Sequence, residues 1–326
     1  MNKKPYRGFD YYWKRYGIFA TLLITLAVFA ILSPLSLTPN NLLTVLSRSA
    51  IIGISACGMT FAICSGGFDL SVGAILGLST CVFAANLPLF GLLPATLLTL
   101  LVGGLAGMLN GLAITKLKIQ TFVATLAMGM IIKGVALLYT HGSKQMLSRT
   151  ENAEAKIFSQ NVNIGSLQVQ LAPLLMMALV FICGYLIYRY TRHGVYTRSI
   201  GSNENAARTA GIPVDRTIII VYIVTGVTAS ISGLIRASQL MQGSAVLGDG
   251  FELDAITATI LGGTSLAGGK GNIWGTFIGA ILLAMIRNGL NMIGLSDEYQ
   301  RLTIGLILLA VLAISGLQEL REEKSA

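Results

Sequence analysis

Ser65-Gly66-Gly67-Phe68-Asp69-Leu70-Ser71-Val72-Gly73 is a polar, glycine-rich knot set between two apolar runs. An acid among glycines and aliphatics is too costly to keep as packing filler, so it marks a pathway, a hinge or a helix break. A plainer reading is also open, in which the knot is a turn between two membrane helices and Asp69 is an N-cap. The knot has an echo: Gly67-Phe68-Asp69-Leu70-Ser71 aligns with Gly250-Phe251-Glu252-Leu253-Asp254, and both lead into short apolar segments that reach a glycine, Gly77 and Gly262.

Around these knots, 54% of the 326 residues are hydrophobic and 11% charged, less than half the charge of a typical soluble domain. Apolar stretches of spanning length recur throughout, so residues 1–326 are expected to form one integral membrane domain. The first stretch, from Gly17 to Leu35, follows Lys3, Lys4, Arg7, Lys14 and Arg15. No small-x-small cleavage site follows it cleanly, which favours an uncleaved span over a signal peptide. The net charge of +9 does not point to nucleic acid, because the basic residues fall in alternate loops. Cys57, Cys64, Cys81 and Cys183 lie in apolar runs without C-x-x-C spacing, and are expected to be buried small hydrophobes rather than metal ligands or a disulfide framework.

Ten spans are expected, at roughly 17–35, 45–64, 70–86, 90–114, 120–140, 171–189, 217–240, 252–267, 273–294 and 301–318. The third and eighth, each following a knot, are marginal for crossing a hydrocarbon core of about 30 Å. With the N-terminus inside, the inner loops hold fifteen Lys and Arg against four in the outer ones, which places both termini in the cytoplasm. Spans three and eight then run in opposite directions, as an inverted repeat requires. Two loops exceed turn length, an outer one at 141–170 and an inner one at 190–216. Within the inner loop, Ser202 to Ala210 reads as a short helix capped by Ser202 or Asn203 and ended by Gly211 and Pro213. Such a helix is a docking knob, or a basic helix resting on lipid headgroups.

No catalytic constellation is evident. His141 and His193 fall on opposite sides of the predicted membrane, which excludes a two-histidine metal or base site. The run Gly262 to Gly271 lacks P-loop order, because Gly271 follows Lys270, and is better explained by close helix packing followed by a tight turn. Gly103, Gly107 and Gly111 have the spacing of a helix contact. Thr121 and Thr125 share one face of the fifth span, where they line a polar path or bond back to helix carbonyls. Lys133 and Arg236 lie deep enough to need partners or an aqueous cavity. Arg287, Asn288 and Asn291 form a polar stripe near the outer surface, where Arg287 could simply snorkel.

Several long motifs in register carry a resemblance. Cys57-Gly-Met-Thr60 with Ser65 to Gly73, Gly201-Ser-Asn-Glu-Asn-Ala-Ala-Arg208 with Ala210-Gly-Ile212, and Glu252-Leu-Asp-Ala-Ile256 with Leu261 to Gly271 resemble the permease subunits of bacterial ATP-binding-cassette (ABC) sugar importers, in the branch for ribose, xylose, arabinose and galactose. The resemblance implies an all-α, type II-like importer permease of the inner membrane, carrying ribose or a related pentose or hexose. It implies no cofactor on this chain, since ATP and Mg would belong to a partner ATPase. A periplasmic sugar-binding protein would meet the outer loops, and a second permease, in a homodimer, would complete the path. Gly201, Asn203, Glu204, Ala206, Ala207, Arg208 and Gly211 match the segment that seats in the ATPase. Ser65, Gly66, Gly67, Asp69, Ser71, Thr121, Thr125, Glu252 and Asp254 would border the path. Phe68 stands where the family often has a β-branched aliphatic, so sugar identity does not transfer across it. The alternative is an autonomous proton- or ion-coupled transporter using Asp69, Glu252 or Asp254.

Overall fold

The computed structural model describes residues 9–148 and 152–325, so the basic residues Lys3, Lys4, Arg7 and Arg149 lie outside the described part. In chain order the helices are α1 (Phe9–Leu32), α2 (Pro39–Cys64), α3 (Val72–Phe90), α4 (Leu92–Lys116), α5 (Thr121–Tyr139), α6 (Leu171–Tyr190), α7 (Arg192–Ser202), α8 (Glu204–Thr209), α9 (Val214–Leu240), α10 (Phe251–Leu261), α11 (Ile273–Met292) and α12 (Asp297–Ser325). Between α5 and α6 lie β1 (Gln145–Met146), a 3-10 turn (Ala153–Phe158), β2 (Asn161–Ile164) and β3 (Leu167–Gln170). After α9 come β4 (Gln242–Gly243) and a second 3-10 turn (Ala245–Gly248). β2 and β3 form a hairpin, and β1 pairs antiparallel with β4.

Seven described helices, α2, α3, α4, α5, α6, α9 and α11, are long and apolar enough to cross a membrane. Length and composition thus support seven of the ten expected crossings. Two expectations about length change. The third span is an ordinary one of 19 residues, about 28 Å of helix. The eighth is shorter than expected: α10 has 11 residues, about 16 Å, roughly half a hydrocarbon core. Its expected continuation, 262–267, is not helical.

The bundle sorts its helices by burial. In α3, 78% of the apolar window is buried, against 28% in α4, α5 and α6, which therefore offer apolar side chains to the surroundings. Leu93, Leu97, Leu101, Leu105 and Leu109 form an exposed ridge at helical spacing on α4, suited to acyl chains. The opposite face of α4 carries Gly103, Gly107 and Gly111, whose missing side chains let α9 approach at Gly226, Tyr222 and Ile219.

The segment between α9 and α10 lies against α3 as non-helical backbone. A methyl on Gly77 would stand 2.5 Å from the Ala245 carbonyl oxygen, and Gly73 is in similar contact with Gly248. Buried backbone without helical bonds needs partners. The Thr80 hydroxyl supplies two, accepting from Ser244 N at 3.0 Å and donating to Ser244 O at 3.1 Å.

Candidate functional site

Asp69 is fully buried, and its carboxylate is held by neutral donors. Oδ1 accepts from Ser71 N at 3.0 Å and Ser71 Oγ at 2.6 Å, and Oδ2 accepts from Thr225 Oγ1 of α9 at 2.5 Å. Asn110 of α4 donates to Ser71 Oγ at 2.7 Å and reaches Asp69 Oδ1 at 3.5 Å. The capping role expected for Asp69 is corrected: α3 begins at Val72, Ser71 stands at its N-cap, and Asp69 instead closes a turn onto the Ser71 amide. Thr125 bonds back to Thr121 O at 2.9 Å, one of the two fates expected for it, and accepts from Leu70 N at 3.1 Å. The acid thus ties the knot to α4 and α9, and Thr125 ties it to α5.

The start of the knot meets the α7–α8 segment. Gly201 lies close to Gly66, where an added methyl would stand 3.7 Å from the Gly201 Cα, and leaves no room for a side chain of its own beside the Cys64 carbonyl. That carbonyl accepts from Gly269 N at 2.9 Å, and the Tyr188 hydroxyl accepts from Gly271 N at 2.8 Å. Both glycine-rich runs, 65–67 and 268–271, therefore converge on the end of α7. Gly268 and Gly269 adopt left-handed φ values of 81° and 73° there, which glycine alone takes without strain. Beyond the junction α8 stands out as expected. The Asn203 side chain accepts from Ala206 N at 2.9 Å, and Gly211 ends the turn at φ 78°. Ala207 is buried while Ala206 and Ala210 are exposed. Arg208 bonds Glu204 and Asp215, each at 2.8 Å, and these contacts, Asp215 first, hold its guanidinium above its ordinary pKa. The inner loop holds a second helix, α7, that the sequence reading missed because Arg192–Ser202 is polar overall, with few apolar residues to mark its buried face of Gly194, Thr197 and Ile200.

The second knot behaves differently from the first. Glu252 lies in the first turn of α10, half-buried beside Gly73. Asp254, aligned with Ser71, is the buried acid, and Arg287 of α11 donates to it at 2.5 Å. The aligned pentapeptides thus enter their helices out of step: α3 starts at Val72, after the pentapeptide, whereas α10 starts at Phe251, its second residue. Lys133 finds the partner its depth calls for, Asp249 at 2.7 Å. A cavity of about 400 Å³ opens near α2, β2, β3 and α9, lined by the amides of Asn40, Asn161, Gln168, Gln170 and Gln239, the hydroxyls of Thr44 and Ser47, and Arg48. The sequence reading did not find it, because its lining converges from four separated elements. Among the described residues no cluster of three or more His, Cys, Asp or Glu has metal-binding geometry. Cys57, Cys64 and Cys81 are buried as expected, but Cys183 is exposed, on a span whose surface faces outward.

Long apolar helices, polar backbone kept inside the bundle with internal partners, and an amide-lined cavity at one end define a multi-pass membrane protein of the transporter kind. The chain belongs to the family described as branched-chain amino acid transport system / permease component, whose model matches residues 41–312. It is 41% identical over 293 residues to the ribose import permease protein of Escherichia coli (strain K12), covering 89% of this chain and 90% of the relative. The ribose import permease protein of Bacillus subtilis (strain 168) is 39% identical over 303 residues, with 92% of each chain covered. The L-arabinose transport system permease protein of E. coli (strain K12) is 35% identical over 315 residues, covering 93% of this chain and 90% of the relative. No solved structure matches the chain.

Proposed function

We propose that this chain is the membrane-spanning permease of an ATP-driven sugar importer, carrying ribose or a related pentose or hexose handed over by a secreted binding protein. The observation that carries this reading is the likeness, over nearly the whole chain, to import permeases for pentoses. ATP would be hydrolysed on a separate subunit, and two copies of this chain would enclose the path. The bias of Lys and Arg towards the inner loops supports a cytoplasmic side for α7, α8 and both termini. There Gly201, Asn203, Glu204, Ala206, Ala207, Arg208 and Gly211 form the docking knob for the ATPase.

The contacts of Gly201 suggest how a push on α8 would travel. Its end of α7 abuts the Cys64 carbonyl, Gly66 and the 268–271 run. Displacement there would move both glycine-rich segments, and with them the Asp69 staple and the base of α11. Ser65, Gly66, Gly67, Asp69, Ser71, Thr121, Thr125, Glu252 and Asp254 are assigned to the wall of the path. Of these, Asp69 acts behind the wall, since its carboxylate is spent on neighbours.

Charge reversal at Glu204 tests the reading. Glu204→Arg is expected to abolish both co-purification with the ATPase and ATP-dependent uptake in liposomes holding the complete importer. Full retention of both would remove α8 from the interface. The autonomous-transporter alternative predicts gradient-driven uptake by this chain alone, and the likeness to import-system permeases does not favour it.

A further inference from the structure

Resting on the reading above, we propose that the transported sugar is anionic, bearing a carboxylate or phosphate, and that Arg236 together with Arg48 meets its charge beneath the amide-lined cavity. Arg48 lines that cavity, and Arg236 sits one helical turn below Gln239, another lining residue, on α9. Arg236 makes no hydrogen bond or ion pair among the described residues, and its electrostatic neighbours are Arg287, Asp254 and Arg48. Neither other arginine brings Arg236 a counter-ion. Arg287 is committed to Asp254, and Arg48 reaches only the Asn288 amide oxygen, at 3.3 Å.

The local charge does not close. Among the described side chains, Arg287, Arg236 and Arg301 stand around Asp254, with Arg48 beyond, while Glu252 is a second acid of the group and Glu298 a third, beside Arg301. With Arg287 paired to Asp254 and Asp249 taken by Lys133, Arg236 and Arg48 are left without an ion-pair partner among the described residues. An unpaired guanidinium inside a membrane bundle is costly, and the end of the bundle opposite the basic loops is where positive charge is least favoured. A guanidinium also donates to the hydroxyls of a neutral sugar, but only an anion offsets the excess positive charge. A solute with one or two negative charges uses the arginines and the amides together. The cavity, about 400 Å³, has the size of a small-solute site.

The test follows thermal unfolding of the full-length chain in nanodiscs, at constant ionic strength, with D-ribose, D-gluconate, D-ribose 5-phosphate or sodium sulfate. Gluconate or ribose 5-phosphate is expected to raise the midpoint well beyond ribose or sulfate. A response to gluconate alone selects a carboxylate, and one to ribose 5-phosphate alone a phosphate. Arg236→Gln should weaken the effective anion about tenfold or more and leave the unliganded midpoint unchanged or higher, whereas a structural arginine would lower it. Equal shifts with ribose, equal shifts with sulfate (an adventitious ion only), no shift with any of the four, or a full response in Arg236→Gln would each overturn the proposal. ATP-dependent uptake of neutral ribose by the complete importer, indifferent to Arg236→Gln, would sink this inference and leave the importer reading standing. Absence of ATP-dependent uptake of every sugar would sink the reading itself.

Discussion

Asp69 holds a fully buried carboxylate between hydroxyl, amide and backbone donors, with no cation among its described partners. Hydrogen bonds to a charged group contribute about 1.5–3 kcal/mol each, and stranding their buried donors costs a similar amount. Asp69→Ala, which orphans Ser71 N and the Ser71 hydroxyl, is therefore expected to destabilise the chain by about 3 kcal/mol or more. Asp69→Asn should cost only about 1 kcal/mol, because the Thr225 hydroxyl can turn to accept from the new amide. Thermal unfolding in nanodiscs separates the two variants. Transport should follow stability in both. An Asp69→Asn variant that is as stable as expected yet transport-dead would return the carboxylate to the role of an ion site.

At the scale of elements, the α7–α8 segment uses glycine in two physically different ways, and one substitution separates them. Gly211 has a left-handed φ of 78° and open space on the side where a methyl would stand, so Gly211→Ala should cost only the local strain, about 1–2 kcal/mol. Gly201 has an ordinary backbone but no space, since a methyl there would press into the Cys64 carbonyl and stand 2.6 Å from Gly269 N. Gly201→Ala must push apart three backbone segments. The expected outcome is a chain that inserts but shows loss of ATP-dependent uptake and faster hydrogen exchange at 64–67 and 268–271. Equal behaviour of the two alanine variants would argue against the junction as the place where motion is passed on.

For the whole molecule, the pairing of Lys133 on α5 with Asp249 before α10 matters most, because it joins an outer helix to the non-helical segment lying along α3. Both side chains are partly exposed, at 39% and 45%, which keeps its stabilisation modest. Removing one partner leaves the other charge in a membrane bundle alone. Lys133→Met and Asp249→Leu should therefore each lower the unfolding midpoint, and the double variant should recover most of the loss. Additive losses would mean that the two groups act independently. α10 shows the same dependence on neighbours: at about 16 Å it holds its place through α2 and α11, with Thr259 bonding to Ala56 O at 3.2 Å.

The sequence by itself determined what is local. The spacing of apolar residues marked the long helices, Asn203 and Gly211 marked the ends of α8, and glycines every fourth residue marked the α4 face that meets α9. These signals survive in one dimension because backbone geometry and helical periodicity act over a few residues. Tertiary structure alone decided the rest. An apolar run such as 252–267 looks the same whether it continues as helix or breaks at Leu261, because the break is made good by packing against residues elsewhere in the chain. Sequence alignment equated Asp69 with Glu252, but the partners that settle each acid's role, Thr225 and Asn110 for Asp69 and Arg287 for the neighbouring Asp254, come from other helices. Burial of a charge is a property of the assembled bundle: the sequence could say that these acids needed partners, and only the fold could say which.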